Sequence, residues 1–186
     1  KAGESANTAL LGLAEVYLDQ EQPDAAIKAL TDLIARSPDN LNAYILRGQT
    51  YYFQKRYAEA VADLSVVVKG APDNYSAALS LADAQNAAGD HAQAEKIIRD
   101  VIKRTPDSVP AYIALANFFM VNTNPYEALA AIREGRKALP NDPELAIAET
   151  DILIREKRYT EATDLLDVLA KNDKTKGAAF LRLATV

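Results

Sequence analysis

The sequence predicts an all-α protein, a right-handed α-solenoid of antiparallel helical hairpins, and three observations carry that expectation. Pro38, Pro72, Pro106 and Pro140 are each separated by 34 residues, a fixed period that marks a repeat architecture. Within each period, apolar residues recur at helical spacing. The twentieth place of every period is then held by a small residue: Ala26, Ala60, Ala94, Ala128 and Ala162.

Counted from Asn7, five repeats occupy 7–40, 41–74, 75–108, 109–142 and 143–176. Residues 1–6 read as the remnant of a preceding segment, and 177–186 as the first helix of a sixth, truncated repeat. The first helix of a repeat follows from stripes such as Leu10, Leu13, Ala14 and Tyr17, or Tyr44, Gly48 and Tyr51, or Tyr112, Leu115, Ala116 and Phe119. In the second helix the invariant Ala is followed four residues later by Leu30, Leu64, Ile98, Ile132 or Leu166; only a small side chain lets two helices approach closely. Between the helices lie short polar turns, Glu21-Gln22-Pro23, Lys55-Arg56-Tyr57, Gly89-Asp90-His91, Thr123-Asn124-Pro125 and Lys157-Arg158-Tyr159. Pro23 and Pro125 suit a helix's first turn. The recurring Pro38-Asp39-Asn40 and its successors punctuate the chain: proline cannot continue a helix interior, and the Asp or Asn accepts from the free amides of the next helix. Asn74-Tyr75-Ser76 has the pattern of a glycosylation acceptor but overlaps this capping triplet, and capping is the expected role.

Composition narrows the function. A net charge of -5 and a pI near 5.0 argue against a nucleic-acid partner, which needs clustered Lys and Arg on one face. No apolar run reaches the roughly 18 residues that cross a bilayer, so no direct membrane insertion is expected. The compartment stays open between a cytoplasmic and a bacterial periplasmic or envelope-associated location; the Ala-rich, Cys-free style looks bacterial. With no Cys and one His, there is no basis for disulfides, thiolate chemistry or a zinc site, and no Gly-rich phosphate loop is present. The chain reads as non-catalytic, with no cofactor and no metal. His91 stands at the turn place that Tyr57 and Tyr159 fill in other repeats, so a structural, aromatic-like role is expected for it.

The run Tyr44, Gly48, Tyr51, Tyr57, Ala60, Leu64 and Pro72 resembles the tetratricopeptide repeat, and the resemblance extends over 7–184. It implies a protein-interaction scaffold. Arg47, Gln85, Glu149 and Thr150 depart from the expected apolar stripe, and Lys174 replaces the fifth proline. Members of the family that clamp acidic chaperone tails use basic residues with Asn on the groove helices; here only Asn117 matches. The asparagine ladder of glycosyltransferase superhelices is missing too, since the sixth places read Gly12, Leu46, Ser80, Ala114, Ala148 and Arg182.

In a hairpin solenoid the first helices line a concave groove. The fifth place of each repeat is a branched aliphatic: Leu11, Ile45, Leu79, Ile113, Ile147 and Leu181. The ninth is polar: Glu15, Gln49, Asp83, Asn117, Asp151 and Thr185. Beyond it come Leu18, Tyr52, Phe53, Met120, Val121 and Ile154. The expected partner is a protein or peptide whose backbone meets the amide and carboxylate row while its side chains enter between the apolar ridges. The competing reading of the aliphatic row is packing between neighbouring first helices. A second function is self-association through 177–186, where Phe180, Leu183 and Ala184 form a stripe that no following helix covers; either the chain continues or a second copy covers it. Charge is uneven: the first repeat has six acidic and two basic residues, the second three and four, so a basic segment of a partner would be steered to the N-terminal end.

Overall fold

The computed structural model describes residues 2–172 and 175–184, and for residues 2–5 the backbone alone. Lys174 and Thr185 lie outside the described residues. Eleven helices and no strand are found among those described. They are α1 (Ala2–Asp19), α2 (Pro23–Arg36), α3 (Leu41–Phe53), α4 (Tyr57–Gly70), α5 (Tyr75–Ala87), α6 (His91–Arg104), α7 (Val109–Val121), α8 (Pro125–Ala138), α9 (Pro143–Arg155), α10 (Tyr159–Leu169) and α11 (Lys176–Leu183). The chain forms two compact units, Lys1–Ile97 and Ile98–Val186.

Within each unit, consecutive helices pack as hairpins, α1 on α2 and α3 on α4 in the first, α7 on α8 and α9 on α10 in the second. The alanines at the twentieth places explain how: Ala26, Ala60, Ala94, Ala128 and Ala162 are all fully buried. In the first unit one core gathers Ala14, Ala26, Leu30 and Leu33, and a second gathers Ala60, Leu64, Leu81 and Ala84. In the second unit Ala146, Leu166, Leu169 and Ala179 form a core with Ile147, Ile154 and Leu183 half-buried against it.

The proline triplets act as read from the sequence. Helices α2, α4, α6 and α8 end two residues before Pro38, Pro72, Pro106 and Pro140. The side chains of Asn40, Asn74 and Asp142 then accept from the amides of Ala43, Ala77 and Leu145 at 3.1, 3.0 and 2.9 Å. Ser108 makes no such bond, and Pro110 instead stands in the first turn of α7.

The turns inside the hairpins hold a second regularity that residue identity conceals. The last helical turn closes with a bond from Gln22 N to Tyr17 O, and equivalently Arg56 to Tyr51, Asp90 to Gln85, Asn124 to Phe119 and Arg158 to Leu153, all at 2.8–2.9 Å. This six-to-one closure needs a left-handed residue just before the donor. That residue is Glu21, Lys55, Gly89, Thr123 or Lys157, with φ of 57, 61, 93, 59 and 58°. Only one is glycine. A left-handed conformation costs an L-residue about 1–2 kcal/mol, most of all a β-branched one. Thr123→Gly is therefore expected to raise stability by roughly 0.5–1 kcal/mol, the added unfolded-state entropy of glycine offsetting part of the relief. A urea titration followed by circular dichroism measures it, and a lowered midpoint would refute the strain.

Three of the four departures from the apolar stripe have polar partners. Arg47 of α3 meets Asp63 of α4 with two nitrogens, at 2.7 and 2.8 Å, and donates a third bond to Thr31 Oγ1 at 3.0 Å. Its guanidinium lies 5.7 and 5.8 Å from the ring centres of Tyr44 and Tyr51. The hydrogen bond to Asp63, followed by the charge of that carboxylate, raises the arginine's pKa against the opposing cost of burial. Glu149 is buried and receives Arg133 Nε at 2.6 Å and Arg136 Nη1. Thr150, also buried, donates to Ile147 O of its own helix at 2.7 Å.

Candidate functional site

The ninth-place residues Glu15, Gln49, Asp83, Asn117 and Asp151 are all exposed, as their spacing along the first helices requires. The fifth-place residues Leu11, Ile45, Leu79, Ile113 and Ile147 are all half-buried, whereas Leu181 is exposed. Leu11 packs against the core of α1 and α2, and Ile147 against that of α9 to α11. For these two, packing accounts for part of the aliphatic character. At the far helix end, Tyr52, Met120 and Ile154 are half-buried, while Phe53 and Val121 stand out at 82% and 72% exposure.

In the first unit the structure brings Gln49, Tyr52, Phe53 and Asp83 to one cavity of about 300 Å³, completed by Leu64 and Ser80. Helix α3 supplies the aromatics from consecutive positions, with ring centres 6.0 Å apart and nearly perpendicular. Tyr52 also lies against Tyr57 at 5.6 Å and against the core of α4 and α5, which fixes its ring. Helix α5 supplies Asp83. The surrounding side chains desolvate this carboxyl although it keeps contact with water, and its pKa is pushed up. Desolvation also raises the Tyr52 phenol, with the Asp83 charge adding to it.

In the second unit, Ile113, Asn117, Met120 and Asp151 line a cavity of about 270 Å³ with Arg155. A shallower depression of about 430 Å³ is lined by Ile113, Ile147 and Asp151. Asp151 is not free there. Arg182 of α11 donates to both its oxygens, at 2.5 and 2.8 Å, which raises the arginine's pKa. The amide and carboxylate row is thus satisfied internally at this point, which its sequence spacing could not show.

Leu11 and Glu15 of α1 and Ile45 and Leu79 of α3 and α5 do not line these cavities, nor does Ile154. His91 is exposed at the start of α6, as Tyr159 is at the start of α10, and its Nδ1 lies 2.6 Å from Asn86 Oδ1. The contact spans the turn between α5, which ends just after Asn86, and α6, which begins at His91. Sequence reasoning missed Ser80 and Arg155; Ser80 was visible as the residue following Leu79, three places before Asp83.

Two sequence models, both of the tetratricopeptide repeat, match residues 11–74 and 53–118, together more than half of the chain. The chain belongs to the tetratricopeptide repeat family. No curated protein matches the sequence. Among solved structures, this tetratricopeptide repeat chain is similar to a thermophilic TPR protein of Thermus thermophilus (TTC0263) at 16% identity and a TM-score of 0.64, over 96% of this chain and 97% of that one. It is similar to MamA 41-end from Desulfovibrio magneticus RS-1 at 14% identity and 0.66, over 90% and 97%. It is also similar to Pseudomonas aeruginosa pilF at 16% identity and 0.67, over 92% and 78%. At these identities the likeness concerns the fold. Among the described residues no helix is long and apolar enough to cross a membrane.

Proposed function

We propose that this tetratricopeptide repeat chain is a non-catalytic scaffold that binds a peptide or helical segment of a partner protein along the first-helix face of its units. The observation that carries the reading is the cavity formed by α3 and α5. It combines an 82%-exposed Phe53, a ring held by packing at Tyr52, and polar side chains at Gln49, Ser80 and Asp83. Exposed large aromatics beside convergent polar groups are the composition of contact surfaces. The fold of the family supports a protein partner, and the aliphatic fifth-place residues supply further apolar contact.

The test compares the wild-type chain with a Phe53→Ala/Met120→Ala variant as bait in a lysate of the source organism. Both substitutions remove partly or largely exposed side chains, so the melting temperature is expected to change little. A protein retained by wild type and lost from the folded variant is the expected result. Equal retention by both would refute the surface.

A second reading is self-association through α11, favoured by Phe180 and Leu181, which are 60% and 74% exposed on a short helix. Sedimentation over a range of concentrations tests it: a mass that rises with concentration and collapses in Phe180→Asp supports it, and a constant monomer mass rejects it.

A further inference from the structure

We infer that the cavity on α3 and α5 receives a cationic side chain of the bound segment, an arginine guanidinium before a lysine ammonium, with Asp83 as its counterion and the Tyr52 and Phe53 rings as its flanks. This rests on the peptide-binding reading and specifies its chemistry.

The protein itself shows what a carboxylate at this place takes. Asp151 holds the ninth place of its repeat and is engaged by a guanidinium, Arg182, through both oxygens at 2.5 and 2.8 Å. Asp83 holds the same place two repeats earlier, lining a cavity, and among the described residues no hydrogen bond or ion pair reaches its carboxylate. Glu15, the remaining acid of the row, lines none of the cavities described above. A carboxylate that has lost part of its hydration without gaining a partner is the group that a cation stabilises most.

The surroundings suit a guanidinium. Phe53 is exposed and stands nearly perpendicular to Tyr52 at 6.0 Å, and both rings line the cavity. A planar, weakly hydrated cation stacks on such rings and grips a carboxylate with two parallel donors, which an ammonium cannot do. Gln49 and Ser80 add oxygen acceptors for the remaining donors. A cavity of about 300 Å³ admits the head group and its methylene stem. The unit's own nearby arginines are committed elsewhere, Arg47 to Asp63 and Arg56 to Glu59.

The charge of the chain points the same way. Residues 1–97 hold thirteen acidic and eight basic side chains, and 98–186 hold thirteen of each. The whole net charge of -5 therefore belongs to the unit that carries the cavity; it draws a basic segment to that unit, most strongly to the first repeat, and Asp83 is the acid within the cavity.

The experiment titrates the isotope-labelled 186-residue chain with N-acetyl-arginine N-methylamide, and with the lysine, leucine and glutamate analogues, following amide shifts by NMR. The arginine probe is expected to shift the amides of Gln49, Phe53 and Asp83 and to saturate at the lowest concentration of the four. Asp83→Asn, an isosteric change at an exposed position, is expected to weaken it roughly tenfold and to leave the melting temperature unchanged. Preference for the leucine or glutamate probe, an unchanged arginine affinity in Asp83→Asn, or no arginine-induced shift would each overturn the inference. The bait experiment separates this from the broader reading: a partner retained equally by Asp83→Asn but lost from Phe53→Ala/Met120→Ala would leave the binding surface standing and remove the cation from it.

Discussion

Asp63→Ala is expected to lower the unfolding free energy by about 2–3 kcal/mol, the largest effect of any single polar substitution in the first unit. The side chains of Arg47 and Asp63 are only 14% and 8% exposed. Truncating the acid leaves a guanidinium between Tyr44, Tyr51 and Thr31 with two of its donors unanswered. A fully buried pair broken this way costs about 3–5 kcal/mol; the residual exposure of Arg47 and the two aromatic faces reduce that figure. Removing both charges is different, because no orphan remains. Arg47→Leu/Asp63→Leu is expected to recover most of the loss, and the comparison is made by urea unfolding of the three proteins. Should the single and double variants unfold at the same midpoint, the stranded charge would not be the cause.

Gly135→Ala is expected to destabilise the second unit by about 1–2 kcal/mol, although alanine is the better helix former by about 1 kcal/mol. A Cβ at Gly135 would stand 2.7 Å from Tyr112 Cγ and 3.0 Å from Tyr112 Cβ. These are atoms near the backbone of a buried residue, and the ring is tied at its far end by a bond from its hydroxyl to Pro106 O at 3.1 Å. Tyr112 cannot swing away, so α8 must move off α7, and overpacking of this kind costs about 1–3 kcal/mol. Gly48→Ala is the milder control. Its Cβ would meet Leu64 Cγ at 3.0 Å and Asp63 Cβ at 3.3 Å, and Leu64 is a more adaptable neighbour than an anchored tyrosine ring. Thermal unfolding of both variants orders them; an unchanged midpoint in Gly135→Ala would mean that the two helices are not held at this separation.

How far these features could be read in advance depends on how local they are. The period was plain because Pro38 and Ala26 recur with their repeats, and each does a local job, stopping a helix or letting one come close. The exposure of Gln49, Asp83 and Asn117 followed from helical geometry alone. Arg47 and Glu149 looked like faults in an apolar stripe because their partners, Asp63 and Arg133, each sit 16 residues away on another helix, and single-helix periodicity carries no information across that gap. For the same reason Asp151 read as equivalent to Asp83, until Arg182, 31 residues further on, proved to occupy it. The aliphatic row was ambiguous in sequence because half-burial, which all five of its members up to Ile147 show, is the state that packing and ligand contact have in common.

The left-handed turns at Glu21, Lys55, Thr123 and Lys157 bear on how much heat the molecule tolerates. Each holds a side chain in a backbone conformation that glycine adopts without penalty, and Gly89 shows the turn closing by the same hydrogen bond when it does. With about 0.5–1 kcal/mol at Thr123 and less at each of the three unbranched residues, four glycines would together recover roughly 1–2 kcal/mol, a noticeable part of a small domain's whole margin. The bends between helices, whose left-handed residues belong to neither core nor cavity lining, are therefore where substitutions are expected to raise the melting temperature.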